Sequence, residues 1–167
     1  MMIAMSRHPV VNALLQLAYI SVLPQVALLV AILGWRGKPE NIYAFCLALT
    51  AGAAISISIW TISPSFGAFS VYALPADVSR HMPLALDAQY ARDLISLLAH
   101  GPGHISPTSA KGLIGFPSFH AVMAMFVVWY ARQLSYVRWF ALALNIVVLV
   151  ATPIQGGHHV VDVLAGF

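Results

Sequence analysis

The stretch VVNALLQLAYISVLPQVALLVAILG, Val10 to Gly34, contains no Asp, Glu, Lys or Arg. As a helix rising about 1.5 Å per residue, it is long enough to cross a bilayer core of about 30 Å with some tilt. Pro24 falls inside it, where a soluble helix would break. In a membrane, neighbouring helices can re-satisfy the carbonyl that proline leaves without a donor. Asn12, Gln16 and Gln25 are then expected to face other helices rather than lipid. The rest of the 167-residue chain agrees, being 60% hydrophobic and only 8% charged, against about 25% charged residues in a soluble domain. So few charges cannot cover a water-facing surface, and so apolar a chain is not disordered. The expected architecture is all-α: a multi-pass transmembrane helical bundle in a single domain.

Working outward, the polar connection 35–41 leads to a second span, 42–62. This span is rich in the small residues Ala44, Ala48, Gly52, Ala53 and Ser56, which let helices approach closely. The segment 63–117 is of another kind, since it holds six of the ten prolines. A connection this long is expected to be functional, with 84–99 a short amphipathic helix ended by Gly101-Pro102-Gly103. A third span covers 118–134, a tight turn 133–136 follows, and a fourth span covers 137–152. A partial span begins at 158.

If the spans alternate, Arg36, Lys38, Arg132 and Arg138 share one side, which the positive-inside rule makes cytoplasmic. The loop 63–117, the start of the third span and the end of the fourth then lie on the outer face of a plasma (inner) membrane. Trp35, Tyr43, Trp60, Tyr72, Tyr136 and Trp139 are expected to form interfacial belts. The net charge of +3 comes from scattered residues with no basic stripe, which argues against a nucleic-acid partner. Cys46 is the only cysteine, so neither a disulfide framework nor a cysteine-ligated zinc site is available.

Three ionisable positions stand at the ends of apolar spans: His120, the pair His158/His159, and Asp162. Such residues are costly in a membrane and are functional candidates by default. One helical hairpin separates His120 from His158, so both return to the same surface. His158 and Asp162 are four apart on the helix that starts there and share a face. A carboxylate on one imidazole nitrogen fixes the tautomer and leaves the other as a base or nucleophile. Pro117-Ser118 opens the third span, and a helix N-terminus favours an anion, phosphate above all. The Ser118 hydroxyl adds a donor. Two histidines, a carboxylate and an anion-binding helix end are what phosphoryl transfer by acid–base and nucleophilic catalysis requires.

The segment Gly115-Phe-Pro-Ser-Phe-His-Ala121 resembles the second motif of the type 2 phosphatidic acid phosphatase superfamily. Gly156-Gly-His-His-Val-Val-Asp-Val-Leu-Ala-Gly166 resembles its third. The phenylalanine before His120 and the glycine pair before His158 look most like the inositol-phosphorylceramide synthase branch. The resemblance implies a six-helix membrane bundle, a fold shared with vanadium haloperoxidases. It also implies a lipid phosphate ester as substrate and no cofactor or metal. Carried over residue by residue, His158 is the nucleophile, Asp162 orients it, His120 protonates the leaving alkoxide and Ser118 binds phosphate.

Two departures stand out. In the family's first motif, Lys-x6-Arg-Pro, Ser56 takes the place of the lysine and Ser63-Pro64 that of Arg-Pro. Thr152-Pro153 stands where an arginine precedes the third motif. Phosphate charge must then be met by other groups, with Lys111 and Arg92 of the loop as the candidates. Against the six-helix layout, the chain also reads as truncated at both ends. Two alternatives accompany this reading: a non-catalytic remnant of the same fold, and a metal site built from His120, His158, His159 and Asp162.

Overall fold

A computed structural model describes residues 8–36, 39–65, 67–68, 89–101 and 114–167, with the backbone alone for 89–94. Seven helices are found among them: α1 (Pro9–Ile20), α2 (Val22–Trp35), α3 (Pro39–Ile62), α4 (Gln89–His100), α5 (Phe119–Ala131), α6 (Val137–Gln155) and α7 (Val160–Ala165). The fold is all-α.

The charge-free stretch 10–34 is not one straight span. It forms α1 and α2, which meet at Ser21 with a bend of 45°. Pro24 explains the break, because it has no N–H to offer the Ile20 carbonyl and its ring crowds that group. Two side chains bond locally beside the break. The Ser21 hydroxyl donates to the Ala18 carbonyl at 2.7 Å, and the Gln25 side-chain amide donates to the Ser21 hydroxyl at 2.8 Å.

Two helices, α3 and α6, are long and apolar enough to cross a membrane, and the α1–α2 pair is a third if it forms one broken span. α5 is apolar but shorter, and the expected interval 118–134 is completed by the turn before α6. The expected helix over 84–99 is α4. It stops at Gly101, whose φ of 75° suits glycine because that residue has no Cβ to clash. Residues 84–88 lie outside the described residues.

α5 and α6 pack as an antiparallel hairpin, α1 lies along α6, and α2 and α3 lie along α5. Toward the end carrying Arg36 and the 133–136 turn, Leu29, Leu33, Phe45, Val127, Ala131, Leu134 and Ala141 form one apolar cluster. A second, nearer the motif end, joins Ala18, Val22, Met123, Ala124 and Val148. Small residues set the α3–α5 spacing: a Cβ on Gly52 would come within 3.0 Å of both Phe126 and Val122.

Asn12 and Gln25 of the first span face inward, as expected, and Gln16 is half-buried. The Gln155 amide donates to Asn12 Oδ1 at 2.8 Å, and the Asn145 amide donates to Gln25 Oε1 at 2.7 Å. The outward faces are strongly apolar, with Leu17, Leu23, Leu47, Ile55, Ile62, Ile146 and Val150 all exposed. Water would not tolerate so much exposed apolar area, whereas lipid does. Trp35, Tyr43, Tyr136 and Trp139 are exposed near helix ends. Trp60 differs, since its indole nitrogen is buried without a hydrogen-bond partner among the described residues. Tyr72 lies outside the described residues.

Candidate active site

Three backbone segments converge at one end of the bundle: the residues after α3, the turn 115–118 before α5, and the Gly156-Gly157 turn between α6 and α7. Glycines permit the convergence. A Cβ on Gly115 would run into the backbone of Ser65. Gly67, at φ 71°, packs so closely on Gly157 that a Cβ would lie 2.8 Å from the Gly157 carbonyl oxygen. The neighbouring Ala68 N–H donates to that same oxygen at 2.5 Å. The first-motif region therefore reaches the other two motifs through main-chain contact, although Ser56 and Ser63-Pro64 stand where its basic residues would be.

His158 is buried at the start of the last segment. Its Nδ1 lies 2.9 Å from the Gly115 carbonyl oxygen and 3.6 Å from Asp162 Oδ2. A carbonyl only accepts, so Nδ1 carries the proton and donates to Gly115. Nε2 is then the nitrogen with the lone pair. The contact of His158 with Asp162 expected from their spacing is present at 3.6 Å, but not on one helix face: α7 begins at Val160 with His159 as its N-cap, so His158 lies before the helix. The shorter contact, however, goes to a backbone oxygen that side-chain spacing cannot reveal. Asp162 is also fixed from below, its Oδ2 accepting the His159 N–H at 2.7 Å. His159 thus serves as the N-cap of α7, with Asp162 at the third helical position reaching back as in one arm of a capping box.

Ser118 is wholly buried as the N-cap of α5. Its N–H donates to the Asp162 carbonyl at 2.9 Å, so this amide is engaged in joining α5 to α7 and is not turned toward an anion. Its hydroxyl has no partner among the described residues. At such depth an unpaired hydroxyl costs about 1–3 kcal/mol, and a bound oxyanion would offset that cost. Gly166, capping α7, closes the same junction, since a Cβ there would be 2.7 Å from both Ala121 Cβ and the Ser118 oxygen.

His120, one residue into α5, is stacked on Tyr19 of α1, with ring centroids 4.1 Å apart and planes 11° from parallel. The Tyr19 hydroxyl in turn lies close to Gly156. A Cβ there would be 2.7 Å from Tyr19 Oη and 2.9 Å from His158 Cδ2. Tyr19 therefore touches the ring of one histidine and flanks that of the other. Sequence reasoning missed it because no motif includes it and a tyrosine in an apolar span has no signature of its own.

Thr152, which replaces the arginine before the third motif, is buried and donates its hydroxyl to the Val148 carbonyl at 2.8 Å. Lys111 lies outside the described residues, and Arg92 is on α4 with its side chain outside them. Among the described residues no three His, Cys, Asp or Glu side chains form a metal-binding group.

An all-helical bundle with strongly apolar outer faces, and with a histidine–aspartate pair and a second histidine at one end, is of the class of integral membrane helical proteins. A family model described as PAP2 superfamily matches residues 2–167, and the chain belongs to that superfamily. Its members are generally phosphatases acting on phosphate esters. Neither the curated proteins nor the solved structures contain a match to the chain.

Proposed function

We propose that the protein is a membrane phosphatase or phosphotransferase acting on a lipid phosphate ester through a phosphohistidine on His158. The observation that carries this reading is the 2.9 Å contact of His158 Nδ1 with the Gly115 carbonyl. It reserves Nε2 for attack, with Asp162 at 3.6 Å to stabilise positive charge on the ring. Nε2 forms a bond to phosphorus as the ester P–O bond breaks, and its electron pair leaves with the alkoxide oxygen. His120 gives that oxygen a proton. In the second half-reaction His120 takes a proton from water or an acceptor alcohol, the new P–O bond forms and the P–N bond breaks. The unpartnered Ser118 hydroxyl is assigned to a phosphoryl oxygen. Lys111 and Arg92 are assigned to its charge, in place of the basic residues of the first and third motifs. Phe119 before His120 and Gly156-Gly157 before His158 favour the inositol-phosphorylceramide synthase-like branch. The motif end is assigned to the outer side of the membrane and Arg36, Arg132 and Arg138 to the cytoplasm.

The test uses the full-length protein in detergent or liposomes. His158→Ala should abolish turnover and leave no covalent phosphoenzyme. His120→Ala removes a general acid worth about 10²–10⁴-fold on an alkoxide leaving group. It should cost far less on p-nitrophenyl phosphate, whose phenolate leaves unaided. The trapped label should be acid-labile, alkali-stable and located at His158. Vanadate should inhibit and EDTA should not. Label on His120 or His159 would reverse the assignment, and activity lost in EDTA and restored by zinc would favour a metal site. A full-length wild type that turns over no phosphate ester would leave the non-catalytic remnant as the better reading.

A further inference from the structure

We propose that Tyr19 is a positioning residue for His120, holding the plane of the imidazole that serves as proton donor. This inference rests on the reading of His120 given above. It deepens that reading by adding a third helix, α1, to a site that the motifs place on α5 and α7 alone.

An imidazole carries both nitrogens in its ring plane, so the direction in which it delivers a proton is set by the tilt of that plane. Rotation about χ2 of histidine is broad and only weakly confined by intrinsic torsional preference. A ring at the opening turn of a helix therefore needs an external constraint. Tyr19 supplies one: it is buried, and its ring lies 4.1 Å from that of His120 and 11° from parallel. Both histidine nitrogens then point past the edge of the tyrosine rather than into it. The clamp is itself clamped. Asn12, two turns earlier on α1, is bonded to Gln155, and Gln25, on α2 beyond the bend, is bonded to Asn145, so the broken span is tied to α6 on both sides of Tyr19. The Tyr19 hydroxyl end abuts Gly156, which limits how far the ring can slide.

A proton donor must lie within about 2.6–3.2 Å of the atom it serves, and a displacement of about 1 Å can cost about 10²-fold. The effect of losing the clamp should depend on the leaving group, because only a poor leaving group needs the proton. A residue that merely fills space would affect all substrates alike.

The experiment compares Tyr19→Leu and Tyr19→Phe with wild type in the full-length protein, on a lipid phosphate and on p-nitrophenyl phosphate. Tyr19→Leu should lose about 10- to 100-fold in kcat/KM on the lipid phosphate and no more than about threefold on p-nitrophenyl phosphate. This ratio reports phosphorylation of His158 and not the second half-reaction that all substrates share. It should still form the alkali-stable label on His158. Tyr19→Phe keeps the ring and should recover most of the lost rate. In protein labelled with 13C,15N-histidine, the His120 Cε1–H resonance should carry an upfield ring-current shift in wild type and Tyr19→Phe that disappears in Tyr19→Leu. Equal losses on both substrates, a phenylalanine variant as poor as the leucine one, or a His120 resonance indifferent to Tyr19 would each overturn the positioning role. Those outcomes leave the phosphatase reading standing. A wild type inactive on both substrates would remove that reading and the role of Tyr19 with it.

Discussion

Gly156 sits where three groups meet, and its missing side chain makes their meeting possible. A methyl group there would approach Tyr19 Oη at 2.7 Å, His158 Cδ2 at 2.9 Å and the Thr152 carbonyl at 3.0 Å. The tyrosine tip can give way, but the Thr152 carbonyl is fixed in α6 and the imidazole cannot move without disturbing its contact with Gly115. Gly156→Ala is therefore expected to cost about 1–3 kcal/mol in overpacking and to lower turnover more than Tyr19→Phe does. Thermal unfolding and initial rates measured on the same preparations would check this, and wild-type values in both would sink it. The histidines and Asp162 are legible in the sequence because ionisable residues at the ends of apolar spans are few and the four-residue spacing of His158 and Asp162 implies a close approach. The Gly115 carbonyl is not legible, because every residue has one and only folding decides which carbonyl meets Nδ1.

At the scale of the elements, the broken first span is held to α6 by two amide pairs, Asn12–Gln155 on α1 and Gln25–Asn145 on α2. Polar contacts between membrane helices are worth about 0.6 kcal/mol on average and up to about 1.7 kcal/mol. A double-mutant cycle with Gln25→Ala and Asn145→Ala should therefore give a coupling energy in that range in a denaturant titration. Coupling near zero would mean that the pair is incidental and that apolar packing alone seats α2. The inward direction of Asn12 and Gln25 could be foreseen, since lipid offers an amide no partner. The 45° break at Ser21 could not be placed from Pro24 alone. A proline inside a span can be absorbed by a neighbour or can divide the helix. Here the helix is divided, and the Gln25 side chain bonds to that of Ser21, which bonds to the Ala18 carbonyl beside the break.

For the whole molecule, Arg36 and Gln133 line one cavity with Leu33, Asn41 and Leu134, so the first connection and the 133–136 turn share an end of the bundle. The motif segments occupy the other. The Arg132 guanidinium lies 3.5 Å from the centre of the Trp129 ring, and that of Arg138 lies 5.1 Å from Trp139, a pairing suited to a membrane–water boundary. With this end assigned to the cytoplasm, a cysteine at Ser79 in a Cys46→Ser background should react with an impermeant thiol reagent in intact cells. Labelling at Ser79 only after permeabilisation would invert the assignment.

The sequence by itself determined that the chain is a helical membrane bundle, because charge-free stretches of bilayer length have no other stable state. It also marked the histidines and the aspartate, through ionisable residues at span ends and the family's motif order. Only the tertiary structure decided which nitrogen of His158 is held, that Ser118 joins α5 to α7 through its N–H, and that Tyr19 stacks on His120. Those facts depend on backbone oxygens and on a ring brought in from a distant helix. Contacts of that kind arise from the packing of glycines and apolar faces, and they leave no local pattern in the chain.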